Sequence, residues 1–199
     1  MKKFLFVLVA VVCCEKLSAQ NSLWYEQGQE ALIVAEFKDD NAKAFNYLYV
    51  ESLFKKSKME STYVLMSRDQ KWWDPKIWVH GEFRTFVSQD GLSDNVYLLG
   101  PMFGLADGNW GFLNLQTMYR YDGKSNFQVS LLSDVEYGRF YYTMFADMYG
   151  TDKLYLHSEN RFFFKLFNPI RIGANFLVTV NEIEKGFDIK PMAVLRVDL

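Results

Sequence analysis

Beyond residue 19 the chain alternates polar and apolar residues almost without pause, and it does so to the last residue. Successive side chains of an extended strand point to opposite faces, so a period of two means strands with two unlike faces. The pattern is plainest where it carries charge. His80-Gly81-Glu82-Phe83-Arg84 and His157-Ser158-Glu159-Asn160-Arg161 both spell His-x-Glu-x-Arg, and between them they use both histidines of the protein. In each stretch His, Glu and Arg share one face. Ile77, Val79, Gly81 and Phe83, or Leu154, Leu156, Ser158, Asn160 and Phe162, take the other.

Splitting each alternating run into its faces predicts strands over 23–27, 30–38, 46–54, 59–68, 76–87, 95–104, 112–121, 126–134, 139–149, 154–164, 172–181 and 187–199. The first two are the faintest. The run 95–104 is apolar on both faces and contains Pro101, so it reads as a weak or irregular strand. In 59–68 the polar set is Glu60, Thr62 and Arg68, opposite Tyr63 and Leu65; in 139–149 it is Arg139, Tyr141, Thr143 and Asp147. Turn-rich links separate the runs, among them Asp90-Gly91, Asp107-Gly108, Asp122-Gly123, Asn168-Pro169 and Lys185-Gly186. Asp-Gly between alternating runs is a hairpin signal. No stretch shows helical periodicity. Twelve strands are expected, with ten as the alternative even count.

The start of the chain reads differently. Lys2 and Lys3 precede an apolar run over 4–14, and Leu17-Ser18-Ala19 ends in a small residue. This is the layout of a secretory signal peptide, residues 1–19, cut after Ala19. Val12 and Cys13 are the residues before Cys13 and Cys14, not the small residue a lipid-anchor cysteine follows, so both cysteines are expected to leave with the signal. The mature domain, 20–199, then has no thiol and no disulfide. No later segment approaches the roughly 20 apolar residues of a membrane helix, so this part of the chain can cross a bilayer only as a closed barrel.

Which face is wet is decided by the cations. Lys43, Lys55, Lys56, Lys58, Lys71, Lys124 and Lys185 sit in turns or at strand ends, whereas mid-strand cations are Arg84, Arg120, Arg161 and Arg196, on faces shared with Glu, Asp, Asn and Gln. Arginine forms planar paired hydrogen bonds with carboxylates and suits a narrow polar lumen. The other face is Leu, Val, Ile, Phe and Tyr, and 18% of the chain is aromatic, as in outer-membrane barrels with interfacial girdles. The expected fold class is therefore all-β: a closed antiparallel transmembrane β-barrel in a Gram-negative outer membrane, its outward face against lipid. Trp72 and Trp73 are expected at the interface. Leu195, Val197 and Leu199 alternate to the carboxyl end, as in strands read by the outer-membrane barrel assembly machinery. The links are short, so any constriction must come from lumen side chains.

Several short motifs resemble those of the Tsx-like outer-membrane channels, nucleoside-specific twelve-stranded barrels, and more nearly a smaller related group known only as a domain of unknown function. They are Val34-Ala35-Glu36-Phe37-Lys38 leading into Asn46-Tyr47-Leu48-Tyr49-Val50-Glu51, then Lys71-Trp72-Trp73-Asp74-Pro75 before a His-x-Glu strand. Met118-Tyr119-Arg120-Tyr121, Phe145-Ala146-Asp147 and Pro191-Met192-Ala193-Val194-Leu195 follow. The resemblance implies passive uptake of small polar solutes, nucleosides among them.

In a twelve-strand barrel the two His-x-Glu-x-Arg stretches fall on the fifth and tenth strands, on roughly opposed walls. The expected lumen set is His80, Glu82, Arg84, His157, Glu159 and Arg161, with Arg120, Gln116, Tyr47, Glu51, Tyr141 and Tyr155. Solutes would meet donors in Arg84 and Arg161, acceptors in Glu82 and Glu159, and stacking rings in Tyr47, Tyr141 and Tyr155. The same residues also read as an ion-pair ladder, since confined charges must be paired and small barrels fill their interior with side chains. Two further readings stand beside the channel: a structural or adhesive barrel sealed by ion pairs, and a soluble periplasmic β-barrel binder. No serine stands two places from either histidine, and His and Glu at i and i+2 make only half a metal site, so neither enzyme nor metal is expected. No cofactor or nucleic-acid motif is present, and near-zero net charge implies no polyanion partner.

Overall fold

A computed structural model describes residues 20–27, 31–40, 44–55, 58–71, 76–88, 91, 93–150, 154–181 and 186–198. The expected signal peptide with Cys13 and Cys14, the expected interface pair Trp72-Trp73, and Leu199 lie outside the described residues.

Twelve strands follow in chain order: β1 (Gln20–Gln27), β2 (Ala31–Asp40), β3 (Ala44–Lys55), β4 (Lys58–Lys71), β5 (Ile77–Ser88), β6 (Ser93–Gly108), β7 (Gly111–Tyr121), β8 (Ser125–Tyr137), β9 (Phe140–Tyr149), β10 (Tyr155–Phe167), β11 (Ile170–Asn181) and β12 (Gly186–Asp198). Each pairs antiparallel with its neighbours in the chain, and β1 pairs with β12, so the sheet closes on itself. Closure leaves no strand edge unpaired. At the seam Ser22 stands opposite Asp198 and Gln27 opposite Ala193, which brings both ends of the described chain to one rim. No link between consecutive strands is longer than five residues, 72–76 and 150–154 being the longest.

The sides follow the alternation. Phe127 is 75% exposed and Leu99 62% exposed on the outer wall, with Tyr137, Phe140, Phe162 and Phe187 exposed there too. His80 (2%), Asn175 (1%) and Glu26 (0%) are enclosed, along with Gln116, Gln128, Ser130 and Asp147. Two glycines mark places where strands come close. A Cβ at Gly100 would collide with the β7 backbone at Thr117, and one at Gly173 with the β10 carbonyl of Phe162.

Four expectations need correction. The run 95–104 is not a weak strand, since β6 is the longest and Pro101 stands in register with Val79 of β5, but it is irregular as expected: its register with β7 skips Gly100 and Pro101 and shifts between Gly104 and Ala106. The Asp107-Gly108 turn moves on, with Asp107 and Gly108 ending β6 and Asn109-Trp110 forming the turn. Arg139 lies with Gly138 (φ 61°) in a turn and not on the polar face of β9. The fourth is β4, whose faces are reversed: Ser61, Tyr63, Leu65, Ser67 and Asp69 point inward, while Met66 and Arg68 point out. Its two faces carry similar numbers of polar groups, so alternation alone is a tie. Packing breaks it. Leu65 joins Trp24, Val34, Tyr49, Phe163, Met192 and Val194 in an apolar cluster inside the barrel, and Asp69 reaches His80. Arg68, near the end of β4, settles outside against Asn46 and Gln70. The interior is therefore polar over most of its wall and apolar where β12, β1, β2, β3 and β4 meet.

Candidate functional site

The barrel encloses a cavity of about 1100 Å³. All twelve lumen residues expected from the sequence line it: His80, Glu82, Arg84, His157, Glu159, Arg161, Arg120, Gln116, Tyr47, Glu51, Tyr141 and Tyr155. Three hydrogen-bonded networks cross it.

The first starts on β5. His80 stands in register with Asp69 of β4, its Nδ1 2.5 Å from Asp69 Oδ1 and its Nε2 3.1 Å from Glu82 Oε2. Arg84 donates from Nε to Glu82 and from Nη1 to Asp147 Oδ2 of β9 at 2.5 Å. Three strands, β6 to β8, lie between β5 and β9, so this bond spans the lumen. Asp147 also accepts from Ser130, which accepts from Gln128 Nε2 at 3.0 Å; Gln128 Oε1 accepts from Arg120 Nη1 at 2.8 Å. Arg120 Nε donates to Asp122 at 2.8 Å, completing a chain that runs from Asp69 to the far rim.

The second is centred on Arg161 of β10. Its Nε donates to Glu26 Oε1 of β1 at 2.8 Å, and its Nη2 donates to Glu159 and, at 3.1 Å, to Tyr49 Oη of β3. Asn175 Nδ2 (2.8 Å) and Trp24 Nε1 (3.0 Å) also donate to Glu26. Tyr49 Oη donates to Glu51 at 2.8 Å, and His157 Nε2 lies 3.3 Å from Glu159. His157 faces Asp147 in register on β9, so the two networks meet there.

The third lies at the rim that holds the chain ends. Lys38 Nζ is 3.1 Å from Glu36 and 3.5 Å from Asp134 of β8, diametrically across the ring from β2. Arg196 is 3.7 Å from Glu36, and Arg196 and Arg171 both donate to Asp198, at 2.8 and 2.7 Å. Aromatic rings back the cations: Tyr149 lies 4.0 Å from Arg120, Trp24 5.3 Å from Arg161, Phe145 5.4 Å from Arg84 and Tyr141 5.3 Å from Arg196.

The ladder is thus built along both His-x-Glu-x-Arg stretches, and it also reaches across the lumen. Arg84 Nη2, Gln116 Oε1 and Asn175 Oδ1 are buried without a hydrogen-bond partner among the described residues. The sequence set omits Glu26, Tyr49, Asp69, Asp147 and the rim group of Glu36, Lys38, Asp134 and Arg196. Their signal was parity. Asp147 shares a face with Tyr141, as Glu36 does with Lys38, but neither sits in a repeated motif.

No family model matches the chain, and no curated protein matches it. Solved structures of similar fold are a KdgM porin (TM-score 0.60, 6% identity, 90% of this chain and 99% of that one) and a NanC porin (TM-score 0.60, 7% identity, 92% and 99%). A KdgM porin in complex with disordered oligogalacturonate is a third (TM-score 0.58, 6% identity, 90% and 99%). At such identity the likeness is one of fold, a small twelve-strand barrel.

Proposed function

We propose that this chain is a non-enzymatic outer-membrane channel through which small polar solutes diffuse, exported by a cleaved signal over residues 1–19 and inserted by the barrel assembly machinery. The observation that carries the reading is the pairing of an apolar outer wall with an enclosed, charged cavity of about 1100 Å³. A soluble ligand-binding barrel needs the reverse: charge outside and an apolar interior. Porin folds of the same size, likewise small single-chain barrels, lend support.

Nucleosides are the first solutes to try. The motifs shared with Tsx-like channels favour them, and Tyr47, Tyr141, Tyr149 and Tyr155 line the cavity with rings on which a flat base can stack. The oligogalacturonate held by a KdgM porin makes acidic oligosaccharides the competing class. The test is conductance of the purified chain in planar bilayers together with nucleoside entry into liposomes. Discrete current steps are expected, with nucleoside entry faster than that of neutral solutes of equal size.

A second reading has its own observation. The Lys38–Asp134 bridge joins opposite walls at the rim, which favours a barrel sealed by ion pairs. Asp134→Ala separates the two. In a channel that this bridge narrows, the variant gives larger steps than the parent; in a sealed barrel the parent gives no steps at all.

A further inference from the structure

We propose that the lumen is a cation-preferring filter that admits neutral and positively charged solutes and turns away acidic ones. This rests on the channel reading above and names the charge class of its solutes. The argument is the balance of each network. In the first, Asp69, Glu82, Asp147 and Asp122 face Arg84, Arg120 and His80. In the second, Glu26, Glu51 and Glu159 face Arg161 and His157. Even with both imidazoles counted as cations, each network holds one carboxylate more than its positive groups can neutralise. The rim network is balanced, with Glu36, Asp134 and Asp198 against Lys38, Arg171 and Arg196. The excess negative charge therefore lies in the body of the lumen.

Two further observations extend this. Glu51, whose one hydrogen bond comes from a tyrosine hydroxyl, lines the cavity without an ion-pair partner among the described residues. So do Asp94, at the start of β6, and Asp107, at its end, which puts a carboxylate lacking such a partner near each mouth. The arginines, by contrast, are committed. Arg84 and Arg161 each hold two carboxylates, and Arg84, Arg120, Arg161 and Arg196 are each backed by a ring. An anion entering the lumen must compete with carboxylates already in place; a cation meets carboxylates with capacity to spare. Arg84 Nη2 is the buried guanidinium nitrogen that favours an anion, but the charge behind it is shared between Glu82 and Asp147. Low-dielectric walls focus the field of such an excess along the pore axis, and carboxylate-lined constrictions select cations.

The test is the reversal potential of the full chain in planar bilayers under a potassium chloride gradient. A potassium-to-chloride permeability ratio of about 3 or more is expected. Glu51→Gln, which keeps an acceptor for Tyr49, should bring the ratio toward parity. Asp94→Asn, at an exposed mouth where folding is not at risk, should lower it by a smaller step. Current steps with chloride preferred or with no preference overturn the filter while leaving the channel standing. A cation preference that neither substitution moves overturns its assignment to these carboxylates. Absence of any current overturns the channel and the filter together.

Discussion

Arg161→Ala should destabilise the barrel by about 3–5 kcal/mol, the usual result of removing one partner of a buried ion pair. The guanidinium joins three strands that are distant in the chain: Glu159 on its own strand, Glu26 on β1 and Tyr49 on β3. Glu26 has no exposed surface, so without Arg161 its charge is left with only the neutral donors of Asn175 and Trp24. Trp24 also loses one of the two cations packed against its ring, keeping Arg196. Urea unfolding in detergent micelles, read by tryptophan fluorescence or heat-modifiable migration, gives the number. Arg161→Lys keeps the charge but not the fork that reaches Glu26, Glu159 and Tyr49 together, so it should fall between parent and Ala. Adding Glu26→Gln to Arg161→Ala should recover part of the loss, because the stranded charge goes with it. An Arg161→Ala barrel that unfolds at the parent's urea concentration would mean that the second network is a solvated accident of the lumen and holds nothing together.

That expectation says where the stability of so narrow a barrel resides. Backbone pairing closes the ring but does not choose its cross-section. Side chains that bridge β5 to β9, β10 to β3 and β2 to β8 do. The same bridges narrow the path for solute, so in this lumen stability and permeability pull against each other.

Much of this was legible in the residues because a period of two leaves only one choice per strand, and a run such as Phe127-Gln128-Val129-Ser130 makes that choice unambiguous. The twelve lumen residues were found for the same reason. β4 shows where the rule stops. Glu60, Thr62 and Arg68 compete with Ser61, Ser67 and Asp69, and the tie is broken by packing with Trp24, Tyr49 and His80, which lie on other strands and leave no mark on the pattern within β4. Partnership across the lumen was not legible. Nothing local links Arg84 with Asp147, or Arg161 with Glu26, because those distances are set by closure and strand stagger. Nor does alternation reveal that one wall of the interior is apolar: Val34, Met192 and Val194 lie in strands whose outward residues are equally apolar.

The sidedness itself predicts the second large effect. Leu99→Arg should cost about 2–4 kcal/mol or prevent assembly, the range for a cation on the lipid face near the bilayer midplane. Leu99 lies midway along β6, 62% exposed, opposite Gly81 of β5 and Tyr119 of β7. A soluble barrel would tolerate the change, because an exposed leucine replaced by arginine in water stays within about 0.5 kcal/mol of the parent. Tyr137→Arg is the matched comparison. Tyr137 ends β8 at the rim and is more exposed than Leu99, so an exposure rule alone would make its replacement no milder. A bilayer reverses that order, since arginine near the interface costs only about 0–1 kcal/mol. Folding both variants into lipid vesicles and comparing their unfolding midpoints measures the cost against depth. A cost that falls steeply from Leu99 to Tyr137 is the mark of hydrocarbon around the outer wall. Equal and small costs at both positions would mean water on that wall, and the enclosed charges would then need an account that involves no membrane.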